Sequence, residues 1–148
     1  MRQVLIACVL FAGLGAISED RASACECGAK PSVAESFKHS SHVFLGVVAS
    51  LEPVPSPASS DPGFAERYPS QRVIFRVGQR WKGAAKQQLV LHSFSDCSFP
   101  FQLGQAYLVF AGPSFTGGTN LEATVCTPTA LRSRAAASIK ELGPSQKP

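Results

Sequence analysis

The stretch His42 to Leu51, HVFLGVVASL, is the most informative part of this sequence for the fold. It is rich in Val, Leu and Phe, and a short apolar run of this composition is typical of a buried β-strand. A second stretch, Gln71 to Trp81, reads QRVIFRVGQRW and places Val73, Phe75 and Val77 at alternate positions. This two-residue period predicts a strand with one face toward the core. The two stretches together favour a β-rich fold.

Three further strands and two helices extend this pattern. Strands are predicted over Gln88 to Phe94, Gln105 to Ala111 and Asn120 to Val125, the last with Gly117-Gly118 as its turn signal. Glu52 to Ser70 is rich in Pro and Ser and is predicted to be a long exposed loop.

The predicted helices lie at the two ends of the domain. Ser32-Val33-Ala34-Glu35 has the form of a capping box and predicts a helix of about two turns. Thr127-Pro128 is expected to start the second helix, and Gly143-Pro144 is expected to end it. We therefore predict a mainly β fold, a five-stranded Greek-key OB-like barrel with a short N-terminal helix and a C-terminal helix.

The composition is that of a small globular domain. The chain has 148 residues, of which 45% are hydrophobic and 16% charged, and its 12 Gly and 11 Pro favour many turns. Its net charge of +4 is lower than is usual for a strong nucleic-acid binder, so no nucleic-acid partner is expected. We expect a monomer.

The first 24 residues resemble a secretory signal peptide. Arg2 precedes an apolar run from Val4 to Ile17, and Ala22-Ser23-Ala24 supplies an A-x-A cleavage site. The run is shorter than the roughly 20 residues of a membrane span. We predict a protein secreted to the periplasm or the medium, with no membrane association after cleavage. The domain is expected over 25–143 and a disordered tail over 144–148. Lipid modification of Cys25 is the alternative to ordinary cleavage.

Four cysteines follow the predicted leader, at Cys25, Cys27, Cys97 and Cys126. An even number in an exported chain favours two disulfides. A bond between Cys25 and Cys27 would close a strained ring, so each is expected to bond a distant partner, and two pairings remain open. A tetrathiolate zinc site is the alternative, but the isolated third and fourth cysteines lack the usual paired spacing.

Other candidate sites are weaker. His39, His42 and His92 have no nearby carboxylate and no shared face, so no metal ligand set is predicted. Arg72, Arg76 and Arg80 are evenly spaced and share a strand face, but no aromatic residues alternate with them as polyanion stacking requires.

No enzymatic activity is predicted. Cys25 as an N-terminal nucleophile would need a free thiol, which the disulfide prediction removes. The sequence has no G-x-S-x-G nucleophile motif, and no cofactor is expected.

Several short motifs, in this order, resemble the netrin-like domain of the tissue inhibitors of metalloproteinases. They are Cys25-Glu26-Cys27, Val43-Phe44-Leu45-Gly46, Phe75-Arg76-Val77, Trp81-Lys82-Gly83, Cys97, Phe101, Leu103-Gly104, Tyr107-Leu108-Val109-Phe110-Ala111, Leu121, Cys126 and Leu131. The resemblance implies the pairing Cys25–Cys97 and Cys27–Cys126.

The resemblance also implies a function. In that family the α-amino group and carbonyl oxygen of the N-terminal Cys chelate the catalytic zinc of a metalloendopeptidase, and the next side chain enters its primed-side pocket. Cys25, Glu26 and Cys27 would be the inhibitory residues here, with Ser95, Asp96 and Ser98 as additional contact candidates. The zinc belongs to the protease, so the inhibitor holds no metal of its own.

Three departures from the family pattern stand out. Glu26 stands where inhibitory members carry a small polar residue, and both a third disulfide and a C-terminal domain are absent from this sequence. A non-inhibitory secreted binding module for a protein or polyanion partner is therefore the alternative function.

Overall fold

The chain is mainly β in the computed structural model, which describes residues 25–55, 63, 69–114 and 119–148. Its strands are β1 (His42–Pro53), β2 (Gln71–Lys82), β3 (Gln88–Ser93), β4 (Ala106–Pro113), β5 (Leu121–Glu122) and β6 (Ala130–Leu131). Its helices are α1 (Val33–His39) and α2 (Ala136–Leu142), with a 3-10 turn at Arg132–Arg134. The predicted leader, most of the Pro-rich loop and the Gly117-Gly118 turn lie outside the described residues.

Five strands close into a barrel. The ring order is β1-β2-β3-β5-β4, and β4 returns to pair with β1 in an antiparallel register from His42–Ala111 to Val47–Ala106. The other neighbours are antiparallel except β3 and β5, which run parallel where Leu91 meets Leu121. The short β6 pairs with the start of β4. The predicted OB-like barrel with a helix at each end is confirmed.

The barrel interior is packed with aromatic rings. Phe75 meets Phe44 and Phe101 edge to face, with ring centroids 5.3 and 4.9 Å apart, and Tyr107 meets Phe101 at 5.0 Å. Such perpendicular contacts add to the stabilisation from apolar burial. The Tyr107 hydroxyl also accepts a hydrogen bond from the Gln102 amide at 3.1 Å. The alternating residues of β2 supply this core, as predicted.

The strands β1 and β4 are covered on both faces. Their inward residues join the barrel core, and their outward residues, including Leu45 and Phe110, form a second cluster. Phe37 of α1 and Ile139 of α2 pack against that cluster. A strand covered on both sides needs apolar residues at nearly every position, which explains the unbroken apolar run in β1.

The Trp81-Lys82-Gly83 motif ties the two helices to the barrel. The Trp81 indole N–H donates to the Gly143 carbonyl oxygen at 2.9 Å, beyond the end of α2. The Lys82 ammonium donates to the carbonyl oxygens of Phe37 and Lys38 at 2.8 and 3.0 Å, at the end of α1. Gly83 has a φ of +97°, and a Cβ there would lie 2.4 Å from the His42 ring. The motif is therefore structural.

One prediction at the C-terminal end is wrong. The second helix begins at Ala136, because Thr127 forms a turn in which its hydroxyl donates to the Thr124 carbonyl oxygen at 3.0 Å. Beyond this helix, the backbone of Gln146 exchanges two hydrogen bonds with Arg80 of β2, at 2.8 and 2.9 Å. The open edge of β2 at Arg80 offers the backbone partners that a sequence pattern does not reveal.

The predicted fifth strand, Asn120 to Val125, is also shorter than expected, with regular pairing only at Leu121–Glu122.

No helix in the described ranges is both long and apolar enough to cross a membrane.

Candidate functional site

Two adjacent disulfides fix the start of the domain to the barrel. Cys25 is bonded to Cys97 and Cys27 to Cys126, with Cα–Cα distances of 5.0 and 5.3 Å. This is the pairing that the family resemblance implies, and it closes the two alternatives that the cysteine spacing left open. The segment around Glu26 is therefore held at two points only two residues apart.

The two bridges lie side by side because their barrel cysteines sit on neighbouring segments. The Val125 amide donates to the Cys97 carbonyl oxygen at 2.9 Å, and the Phe99 amide donates to the Ala123 carbonyl oxygen at 2.8 Å. Side chains two residues apart in an extended chain point the same way, so a C-x-C segment can reach two neighbouring partners. Cys25 and Cys27 are thus spaced so that each can bond a cysteine on one of two hydrogen-bonded barrel segments.

The residues of this segment are accessible. Glu26 and Cys27 are exposed, and Cys25 is half-buried. The Glu26 carboxylate forms no hydrogen bond or ion pair with any of the residues that the structure describes. It is therefore free to meet a partner.

The alternative tetrathiolate zinc site is not compatible with this arrangement. The sulfur atoms of Cys25, Cys27 and Cys126 lie within 4.8 Å of one another, which is close enough to surround an ion. Metal binding requires thiolates, however, and these sulfur atoms are consumed in disulfide bonds.

The predicted contact residues beside Cys97 divide into two kinds. Ser95 and Asp96 are half-buried on the turn that carries Cys97. Ser98 is 9% exposed, and its hydroxyl donates to the Glu122 carboxylate at 2.5 Å. The turn can therefore present Asp96 beside the N-terminal segment, whereas the Ser95 and Ser98 hydroxyls both donate to Glu122 and hold the turn in place.

Glu122 is a residue that the sequence analysis missed. It is 3% exposed, and its Oε1 accepts hydrogen bonds from Ser95 and Ser98 while its Oε2 accepts one from Ser114 at 2.8 Å. A Glu in a short predicted strand ordinarily faces solvent. The three serines lie far from it or beyond a turn in sequence, so no local signal identified the network.

The histidines and arginines do not form a second site. His39 is exposed, whereas burial lowers the pKa of His42 and of His92, with smaller contributions from Lys86 and Arg72 respectively. Lower pKa values keep the two half-buried rings neutral at pH 7.

The arginine face of β2 is largely occupied by internal contacts. Arg72 pairs with Glu52 at 3.3 Å, and the Arg80 side chain donates to the Lys147 and Gly83 carbonyl oxygens. Arg76 is the exposed member of the row. One exposed arginine in this row makes a weak polyanion site.

The comparisons with known proteins identify no relative. No protein-family model matches the chain, and no curated protein matches it. The geometry around the two disulfides is therefore the main indication of function.

Proposed function

We propose that this protein is a secreted inhibitor of zinc metalloendopeptidases that acts through the segment Cys25-Glu26-Cys27. The observation that carries the proposal is the pair of adjacent disulfides, which fixes this segment on the barrel and leaves Glu26 exposed. The even, bonded set of cysteines also supports export to an oxidising compartment. Cleavage after Ala24 would make Cys25 the first residue.

The inhibitory chemistry follows from the new terminus. A catalytic zinc keeps one coordination position open for water, and the Cys25 α-amino nitrogen and carbonyl oxygen together form a bidentate ligand that can displace this water. An α-amino group has a reference pKa of about 7.7–8.0, so a usable neutral fraction exists at pH 7. Because the two disulfides already order the segment, little conformational entropy is lost on binding.

Glu26 determines which proteases fit. Its side chain would enter the primed-side pocket, where an unpaired carboxylate in apolar surroundings is costly. A pocket with a basic residue would instead form a charge-assisted hydrogen bond with it. We therefore propose a target with a basic pocket at this position.

The test is a titration of the mature, disulfide-bonded protein against a panel of zinc proteases, in parallel with Glu26→Thr. The substitution should strengthen inhibition of proteases with apolar pockets by about tenfold, or 1.4 kcal/mol, and weaken inhibition of those with basic pockets. Glu141→Thr, an exposed glutamate on α2, is the matched control. No inhibition by any of these proteins across the panel would favour a non-inhibitory binding module.

A further inference from the structure

A second candidate site lies between α1 and the barrel. It is a cleft of about 240 Å³ lined by Glu35, Ser36 and His39 of α1, by Phe110 and Pro113 of β4, and by Glu122 of β5. This volume is below the roughly 300–1,000 Å³ of pockets for drug-sized molecules, so the cleft suits a small ligand. Its walls are mostly apolar, with a few polar groups.

Glu122 gives the cleft a buried negative charge. Its carboxylate accepts hydrogen bonds only from the neutral hydroxyls of Ser95, Ser98 and Ser114. Within the described part of the chain, no Lys, Arg or His forms an ion pair with it. A buried carboxylate is ordinarily paired with a cation, whereas Glu122 has only hydroxyl partners and belongs to a residue set that lines a cavity.

Ser36 supplies an independent indication of a ligand. It is 5% exposed, it lines the same cleft, and its hydroxyl oxygen is buried without a hydrogen-bond partner. Buried hydroxyl groups nearly always have a partner, so this atom has an unused capacity to bind one. Glu122 and Ser36 come from different elements, and both residues line this one cavity.

The hydrogen bonds that the Glu122 oxygens already accept limit the kind of cation that can bind. Oε1 already accepts two hydrogen bonds and Oε2 accepts one, so a planar guanidinium cannot engage both oxygens side by side. Calcium or magnesium would need several further oxygen ligands, but the Glu35 and Thr127 oxygens in the lining already form hydrogen bonds with Ser32 and Thr124. A primary ammonium is compact and needs only separate acceptors, such as Glu122 Oε2 and Ser36 Oγ.

We propose that this cleft binds a small primary alkylammonium ion, with its nitrogen at Glu122 and Ser36 and its hydrocarbon chain against Phe110 and Pro113. This site is independent of the inhibitory segment and of whether any protease is inhibited.

The proposal is tested by NMR titration of the purified, disulfide-bonded protein with n-butylammonium, at constant ionic strength. The uncharged n-butanol, of nearly the same size and shape, is titrated in parallel. We expect saturable shifts at the amides of Ser36 and Glu122 with butylammonium, and affinity for butanol lower by about tenfold or more. Glu122→Gln should lose a similar factor, and Ser36→Ala should lose several-fold.

The controls separate this site from general attraction of cations. Glu141→Gln removes the same charge from an exposed position outside the cleft and should leave the affinity unchanged. If Glu122→Gln does not fold, the comparison of the two probes and the Ser36→Ala variant decide the question. The proposal is overturned if butylammonium shows no saturable binding or if butanol binds equally well. It is also overturned if Glu141→Gln loses as much butylammonium affinity as the folded cleft variants.

Discussion

The Sγ atom of Cys25 lies 3.8 Å from the Sγ atom of Cys126, although the two belong to different disulfides. The two bridges are therefore in van der Waals contact where the start of the domain meets the segment after β5. Glu26 lies in sequence between two cross-linked residues, so its backbone has little freedom to rearrange. This rigidity is the physical basis of the inhibitory proposal.

The bridge between Cys27 and Cys126 should make a large contribution to stability. It joins residues 99 positions apart, and loss of a native bridge in a small exported domain typically costs about 2–5 kcal/mol. The double variant Cys27→Ser, Cys126→Ser should lower the free energy of unfolding by this amount in denaturant titrations. An unchanged unfolding midpoint would mean that the bridge does not constrain the unfolded chain.

Lys82 should stabilise α1 through its two hydrogen bonds to the Phe37 and Lys38 carbonyl oxygens. Lys82→Met keeps the length of the side chain but removes the donors, and hydrogen bonds from charged groups contribute about 1.5–3 kcal/mol. We expect a loss toward the lower end, because the ammonium is partly solvated. Lys86→Met, at an exposed neighbouring position, is the control and should change little. Equal unfolding free energies for the two variants would contradict the assigned role.

Acid should destabilise the protein in two separate pH ranges. Burial lowers the pKa of His42 and His92 in the folded state, so the unfolded chain binds protons more readily below the reference value of 6.5. The free energy of unfolding should therefore fall as pH decreases below about 6.5 and level off below the folded-state pKa values. Replacing both residues by Gln should make the free energy of unfolding less dependent on pH in this range.

Glu35 acts at lower pH. Hydrogen bonds from Ser32, first from its backbone and then from its side chain, lower the pKa of Glu35, so its contribution is present above 4.5 and is lost as pH falls through its folded-state value. Thermal unfolding measured as a function of pH should show that Glu35→Gln reduces the pH dependence of stability only in this more acidic range. An unchanged profile in both sets of variants would contradict the assignments.

The barrel could be predicted because its strands carry strong local patterns. The apolar run of β1 and the alternation in β2 reflect burial on two faces and on one face respectively, and each is readable within a dozen residues. The capping box at Ser32 was equally local and is present at the start of α1.

The remaining features depend on contacts between distant segments. Glu122 is hydrogen-bonded to serines from two other segments, and the backbone of Gln146 pairs with that of Arg80. Thr127 has the sequence form of a helix cap, but its hydroxyl is used in a turn and hydrogen-bonds to Thr129 at 2.8 Å. Tertiary partners determined each of these outcomes, and no local pattern contains them.

The start of the exported protein is itself a prediction. Mass spectrometry of the secreted product should give Cys25 as its first residue, without lipid, and thiol titration should find no free cysteine. An N-terminus upstream of Cys25 would leave no α-amino group on that residue. Two free thiols per chain would contradict the disulfide cluster.

The inhibition constant of an N-terminally extended protein shows whether the Cys25 amine chelates the zinc of a protease. Adding one Ala before Cys25 converts its amine into an amide, which is a poor metal ligand, while the barrel and both disulfides remain intact. We predict that the Ala-extended form does not inhibit any zinc protease that is inhibited by the protein starting at Cys25. Equal potency of the two forms would contradict chelation through the Cys25 terminus.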